Sequence, residues 1–129
     1  MSPGHPRYSP RVRALFRELD GAGDPVAGEG VLVSGEASAL DRGAWVRFAA
    51  RVHGGRFGDF RFRAFGCPDT LAAASYVACR LRGAPLDAVA TLGASDLAHE
   101  LDVPAEKLGR LLVLEDALQA LLADLRRVQ

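Results

Sequence analysis

The stretch Arg61–Gly83, RFRAFGCPDTLAAASYVACRLRG, decides how the rest of the chain is read. Arg61, Phe62, Arg63, Ala64 and Phe65 alternate polar and apolar, which is the period of a strand. Gly66 offers a turn. Pro68 suits the first helical position, where its missing N–H costs nothing, and Asp69 and Thr70 suit a first turn. Gly83 followed by Pro85 is a helix stop. The pattern predicts a strand that turns at Gly66 and runs straight into a helix, with Cys67 at the corner. There the macrodipole and the free N–H groups favour thiolate over thiol, and a thiolate is the form that binds metal or attacks sulfur. Cysteine is also a small apolar residue that is often just buried, and Cys79, between Ala78 and Arg80 inside the helix, is read that way. At 1.5 Å per helical residue the two cysteines lie roughly 18 Å apart. A disulfide needs Cα atoms within about 7 Å. Cys67 is therefore a lone thiol at a special backbone position.

Upstream, Ala44–His53 is the clearest strand, with Val46, Phe48, Ala50 and Val52 on one face and Trp45, Arg47, Ala49, Arg51 and His53 on the other. Gly54-Gly55 is a tight hairpin turn. The return strand Arg56–Phe65 places Phe60, Phe62 and Ala64 on the apolar face, so Arg47, Arg51, Arg61 and Arg63 stripe the other one. That stripe is read as a solvated sheet face, since the net charge gives no support for polyanion binding. Before the hairpin, Val31–Val33 predicts a short strand and Glu36–Gly43 a polar turn. Asp20–Gly30 is a loop. Ser9 and Pro10 open a helix whose Val12, Leu15, Phe16 and Leu19 share one face. Met1–Arg7 is expected to be flexible.

Downstream, Pro85–Val89 predicts a short helical turn, and Ser95 caps a short helix, Asp96–Leu101. Pro104 opens the last and longest helix, where Leu111, Leu114, Leu118, Leu121 and Leu125 form an apolar stripe. The whole order predicts an α+β fold: a single domain, 1–129, with a three-stranded antiparallel sheet packed on one face by about five helices.

The 129 residues suffice for one ordinary core, and 16 basic residues balance 16 acidic ones. Nothing here points to nucleic acid or an anionic membrane. The absence of a leader or spanning pattern and the unpaired cysteines predict a cytoplasmic protein. No nucleophile–base pair, phosphate loop or paired carboxylates stand out, so the chain is not read as an enzyme.

Laid end to end, these motifs resemble the IscU/NifU-type scaffold proteins of iron–sulfur cluster assembly. RFRAFGCPDTLAAAS is similar to the family's aromatic-Gly-Cys-Gly corner and its helix of small residues. LRGAPLDAV resembles the turn that follows, and ELDVPAEKLGRLLVLEDALQALLAD the Leu-Pro-Pro-x-Lys segment and closing helix. The resemblance implies a [2Fe–2S] cluster or zinc as cofactor, held by three converging cysteines with a nearby Asp and His. Cys67 matches the second cysteine. Arg42 stands at the first, with Gly43 and Ala44 at the glycine and aspartate that follow it. Gly109 stands at the histidine and Arg110 at the third cysteine. Pro68 replaces a glycine. Arginine has no lone pair for a metal. Asp41, Glu36 and Asp69 offer oxygen, which is poorly matched to a cluster built on thiolates. His5, His53 and His99 are read as surface residues.

The resemblance also implies a cysteine desulfurase and an Hsp70-type chaperone as partners, the latter reading the segment that keeps Pro104 and Lys107 but carries Ala105-Glu106 between them. Two functions stay open. The protein handles sulfur or a shared cluster through Cys67, or it is a degenerate paralogue acting as an interaction or regulatory module. Likewise, Arg42 and Arg110 either flank the thiol, with Asp69 opposing them, or point to water and pair with Asp41 and Glu106.

Overall fold

The computed structural model describes residues 8–128. The expectation for Met1–Arg7 lies outside them. Helix α1 spans Pro10–Glu18, and strands β1, β2 and β3 span Val31–Ala39, Ala44–His53 and Arg56–Phe65. Helix α2 is Pro68–Leu81, α3 is Ala94–Leu101 and α4 is Leu112–Val128. Short 3-10 turns occupy Leu40–Arg42, Leu86–Thr91 and Ala105–Arg110. The sheet is antiparallel in the order β1-β2-β3, and the fold is the expected α+β arrangement.

The β2–β3 hairpin follows from its sequence. Gly54 and Gly55 take φ of 61° and 76°, as a two-residue turn between twisted strands requires. Phe48 pairs with Phe62 and Ala50 with Phe60, and all four are buried. Beyond them the register slips: Val52 pairs with Phe57, so two residues of β3, Gly58 and Asp59, oppose Arg51 alone. This bulge turns Phe57 to the core, where strict alternation would have put it with the arginines. Phe57 then meets Phe60 edge-on at 5.1 Å.

The arginine face is not simply solvated. Asp24 sits 2.7 Å from Arg63 and 3.7 Å from Arg47, while Asp59 takes Arg61 at 3.0 Å. The hydrogen bond from Arg63 holds the Asp24 carboxyl below its ordinary value. Gly21 and Gly23 also bond to both sides of Phe62 along the β3 edge, so the loop before β1 covers that edge.

β1 is longer than Val31–Val33 and runs through the stretch read as a turn. Its small residues let α4 come close. A Cβ on Gly35 would lie 2.1 Å from the Leu121 backbone nitrogen. Asp124 of α4 accepts the Ser34 N–H at 2.9 Å, and that bond, followed by the contact with Arg127, keeps its carboxyl below the ordinary value. Leu114, Leu118, Leu121 and Leu125 line the buried side of α4 as expected.

Other expectations need correction. Pro104 opens the 3-10 turn and not the long helix, which begins at Leu112. Gly93 starts α3, its N–H held by Asp96 at 3.1 Å, so Ser95 is not the cap. On α1 only Val12 is fully buried, and Phe16 is exposed, because one short helix lies against α2 along a narrow stripe. Ser9 does cap α1, and it also donates to the Leu101 carbonyl at 2.6 Å, tying α1 to the end of α3. Leu71 is half-buried, whereas Phe48, Val52, Phe62, Leu111 and Leu118 share the core.

Phe62 is 2% exposed. Phe62→Ala is expected to cost about 3–5 kcal/mol in denaturant unfolding, and a loss under about 1 kcal/mol would contradict the assigned sheet face. Gly35→Ala is expected to destabilise by at least the roughly 1–3 kcal/mol of an overpacked core, because the added methyl meets helix backbone that cannot rotate aside. An unchanged melting temperature would refute the close approach of β1 and α4.

Candidate functional site

The sheet register brings the site residues to one end of the molecule. Ala39 pairs with Ala44 across the β1–β2 turn, and Trp45 pairs with Phe65. The turn bearing Arg42 and the corner bearing Cys67 therefore leave the sheet side by side. Gly43, at φ 62°, closes the turn, and Gly66, at φ 151°, makes the corner in a conformation that L side chains rarely adopt. Cys67 is the extended N-cap of α2, with Pro68 at the first helical position, as the sequence predicts. The thiol is half-buried, 3.6 Å from Thr70 Oγ1.

The third component comes from the turn Ala105–Arg110. Asp69, in the first turn of α2, is 1% exposed. Arg110 Nη1 approaches its Oδ2 at 3.3 Å and Lys107 Nζ approaches the same oxygen at 3.5 Å. Arg110 Nη1 also lies 3.7 Å from Cys67 Sγ. Lys107 Nζ stands 4.7 Å from the centroid of the Tyr8 ring. The family resemblance implies Pro104 and Lys107 as partner-binding residues. Pro104 is exposed at the start of the turn, while the Lys107 ammonium is turned toward Asp69.

Arg42 reaches the same place from the other side. A Cβ on Gly109 would lie 2.9 Å from Arg42 Cζ, 2.9 Å from Nη2 and 3.1 Å from Nη1. Three nearly equal distances describe a guanidinium plane laid across the glycine. Among the described residues nothing hydrogen-bonds or ion-pairs with that guanidinium. Arg42, Cys67, Thr70 and Arg110, with Ala39 and Ala44, line a cavity of about 220 Å³. The arginines thus flank the thiol. Arg110 pairs with Asp69 and not with Glu106, while Arg42 is exposed and packs on Gly109.

Cys79 is not buried as the sequence predicts. It lies on the exposed side of α2, with its sulfur 3.4 Å from Asp20 Oδ2. Partial desolvation, then the hydrogen bond to Asp20 and that carboxylate's charge, push its thiol up, so it is little ionised near neutrality. His53 and His99 are exposed, and Glu36 accepts the Trp45 indole N–H at 3.1 Å.

A cluster or zinc ion needs several thiolate or imidazole donors. Cys67 is one donor, and the two arginines that share its cavity have no lone pair. Asp41 is exposed in its turn, and no three His, Cys, Asp or Glu side chains among the described residues are placed to hold a metal ion. This donor set does not fit a cluster or zinc bound within one chain. The sequence offers no sign that Asp69 is buried, because an acid in a first helical turn is ordinary. Nor did it mark Thr70, which lies against the thiol.

Comparison with known proteins agrees with the fold. The chain is 35% identical over 66 residues to the Escherichia coli iron–sulfur cluster assembly scaffold protein IscU, a match covering 51% of this chain and 52% of that protein. It is 33% identical over 108 residues to iron sulfur cluster assembly protein 1, mitochondrial, of Schizosaccharomyces pombe, covering 83% of this chain and 54% of that one. The matches thus span about half the length of both relatives. The fold superposes on the crystal structure of FiSufU from Fervidobacterium islandicum AW-1 with a TM-score of 0.74 at 15% identity, covering 92% of this chain and 98% of that one. No helix among the described residues is long and apolar enough to cross a membrane. Because the family model for the NifU-like N terminal domain matches residues 8–129, the chain belongs to that family.

Proposed function

We propose that this chain serves iron–sulfur cluster assembly as a sulfur carrier that works through Cys67, without holding a cluster of its own. The observation that supports this reading is the placement of Cys67: a half-buried thiol at the start of a 14-residue helix, lining a cavity with two guanidiniums. Arg110 Nη1 lies 3.7 Å from the Cys67 sulfur, and Asp69 is already engaged by Lys107 and Arg110. A thiolate there attacks the outer sulfur of a donor persulfide, R–S–SH. The donor's S–S bond breaks, a new S–S bond forms on Cys67, and the donor leaves as R–S⁻. The sulfur and its proton stay on Cys67, and no net oxidation occurs.

The family resemblance makes a cysteine desulfurase the donor and an Hsp70-type chaperone a reader of the exposed turn at Pro104. Two free cysteines agree with a reducing compartment such as the cytoplasm. A cluster enters this reading only as cargo shared between chains, with Cys67 contributing one ligand. The chain carries sulfur and catalyses no turnover of its own.

Incubated with a cysteine desulfurase and cysteine, or with an alkyl hydropersulfide, the chain is expected to gain one sulfur atom on Cys67, read by mass spectrometry of the peptide. Cys79→Ser should still load, and Cys67→Ser should not. An unmodified Cys67 would defeat the carrier reading and leave the interaction module in its place. Purified without oxygen, the isolated monomer is expected to hold neither zinc nor a [2Fe–2S] cluster. Stoichiometric zinc, or cluster absorption bands that survive gel filtration of the monomer, would show that the arginines had been misjudged.

A further inference from the structure

We propose that the cavity between Arg42 and Arg110 recognises a small sulfur oxoanion with a transferable sulfur, of the thiosulfate class, and presents that sulfur to Cys67. The inference rests on the reading of Cys67 as a sulfur acceptor and names a substrate for it.

Size comes first. The cavity holds about 220 Å³, below the several hundred that enclose a nucleotide or an organic cofactor. A water molecule occupies about 30 Å³ in the liquid. The space therefore suits an ion of a few heavy atoms with some water.

Charge comes second. Arg110 and Lys107 meet a single buried carboxylate, Asp69, and Arg42 faces the same cavity as Arg110. Among the described residues the cavity wall carries two guanidiniums and no carboxylate. Lys107 and Arg110 meet Asp69, so Arg42 is the cation with no partner among the described residues. Gly109 supplies the surface on which its guanidinium lies. Planar N–H forks match tetrahedral oxoanions better than they match halides or neutral groups. Two of them, carried by separate turns, line one space.

The sulfur beside them selects among oxoanions. Sulfate or phosphate would offer Cys67 nothing to attack. In thiosulfate the SO₃ end meets the guanidiniums and the outer sulfur faces Sγ. The thiolate attacks that outer sulfur, the S–S bond of thiosulfate breaks, and sulfite departs with the bonding electron pair. Cys67 keeps the sulfur as a persulfide anion. Three negative charges enter and three leave, so no oxidant or reductant is needed. The guanidiniums face the charge that builds on the departing sulfite, which is where fixed donors lower a barrier.

The test uses the full chain with sodium thiosulfate under single-turnover conditions. Two signals are followed: the gain of one sulfur on Cys67 and the release of one sulfite per chain. The expected result is saturable loading, slowed by sodium sulfate as a competing ion that does not react. Loading by an alkyl hydropersulfide, which has no oxoanion head, is measured beside it. In Arg42→Gln the ratio of thiosulfate loading to hydropersulfide loading is expected to fall about tenfold or more, the effect of one charge-assisted hydrogen-bond pair. Gly109→Ala, which displaces the Arg42 guanidinium without removing it, should lower the same ratio. Arg42 is exposed and has no hydrogen-bond or ion-pair partner among the described residues, so the variant should keep the parent's melting temperature. Loading by hydropersulfide but not by thiosulfate overturns this inference and leaves the carrier reading standing. An unchanged ratio in Arg42→Gln, or no competition by sulfate, also overturns it. Failure of both donors removes both readings.

Discussion

The site depends on one buried carboxylate. Asp69 has almost no contact with water, and an ion withdrawn from water must be met by opposite charge or by hydrogen bonds. Lys107 and Arg110 meet it, and both come from a single 3-10 turn. The turn is thereby held against the first turn of α2. Gly109 lies between those two cations in sequence, so it is positioned by the same contact, and the guanidinium of Arg42 packs on it. A charge buried in one helix thus settles where side chains from two other segments stand around Cys67.

That arrangement reverses the electrostatics that the family resemblance implies. Several thiolates around a metal place negative ligands on a mobile cation. Here the cations are covalently part of the chain and only one thiol remains. A guanidinium keeps its charge at any pH a folded protein meets and cannot be removed by a chelator. Positive charge beside Cys67 is permanent, whatever the metal supply.

Much of the fold is legible in the residues. The β2–β3 hairpin is written in alternation and in Gly54-Gly55, and α2 in Pro68 at its start and Gly83 after its end. α4 is legible in its leucines. The missed parts share a cause: short-range pattern does not report a close approach made in three dimensions. Ser34–Ala39 has no large apolar side chain, because the space one would fill is occupied by α4, so it reads as a turn. Phe57 faces the core through a bulge that no local signal announces. At the site, the corner at Cys67 is legible locally. The meeting of Arg42 with Arg110 follows only from the family resemblance, and the pairing of Asp69 with Lys107 and Arg110 follows from neither.

One feature outside the core bears on how this centre is observed. Trp45 is the single tryptophan of the chain. Its ring stacks on Phe65 at 5.8 Å, one strand position past Ala44 of the cavity wall and two residues before Cys67. Its indole N–H is held by Glu36 across the sheet. Excited where tyrosine does not absorb, the intrinsic fluorescence of the chain therefore arises from one indole beside the corner that carries Cys67. Emission from an unlabelled sample reports the local environment of that corner, free of background from any other indole.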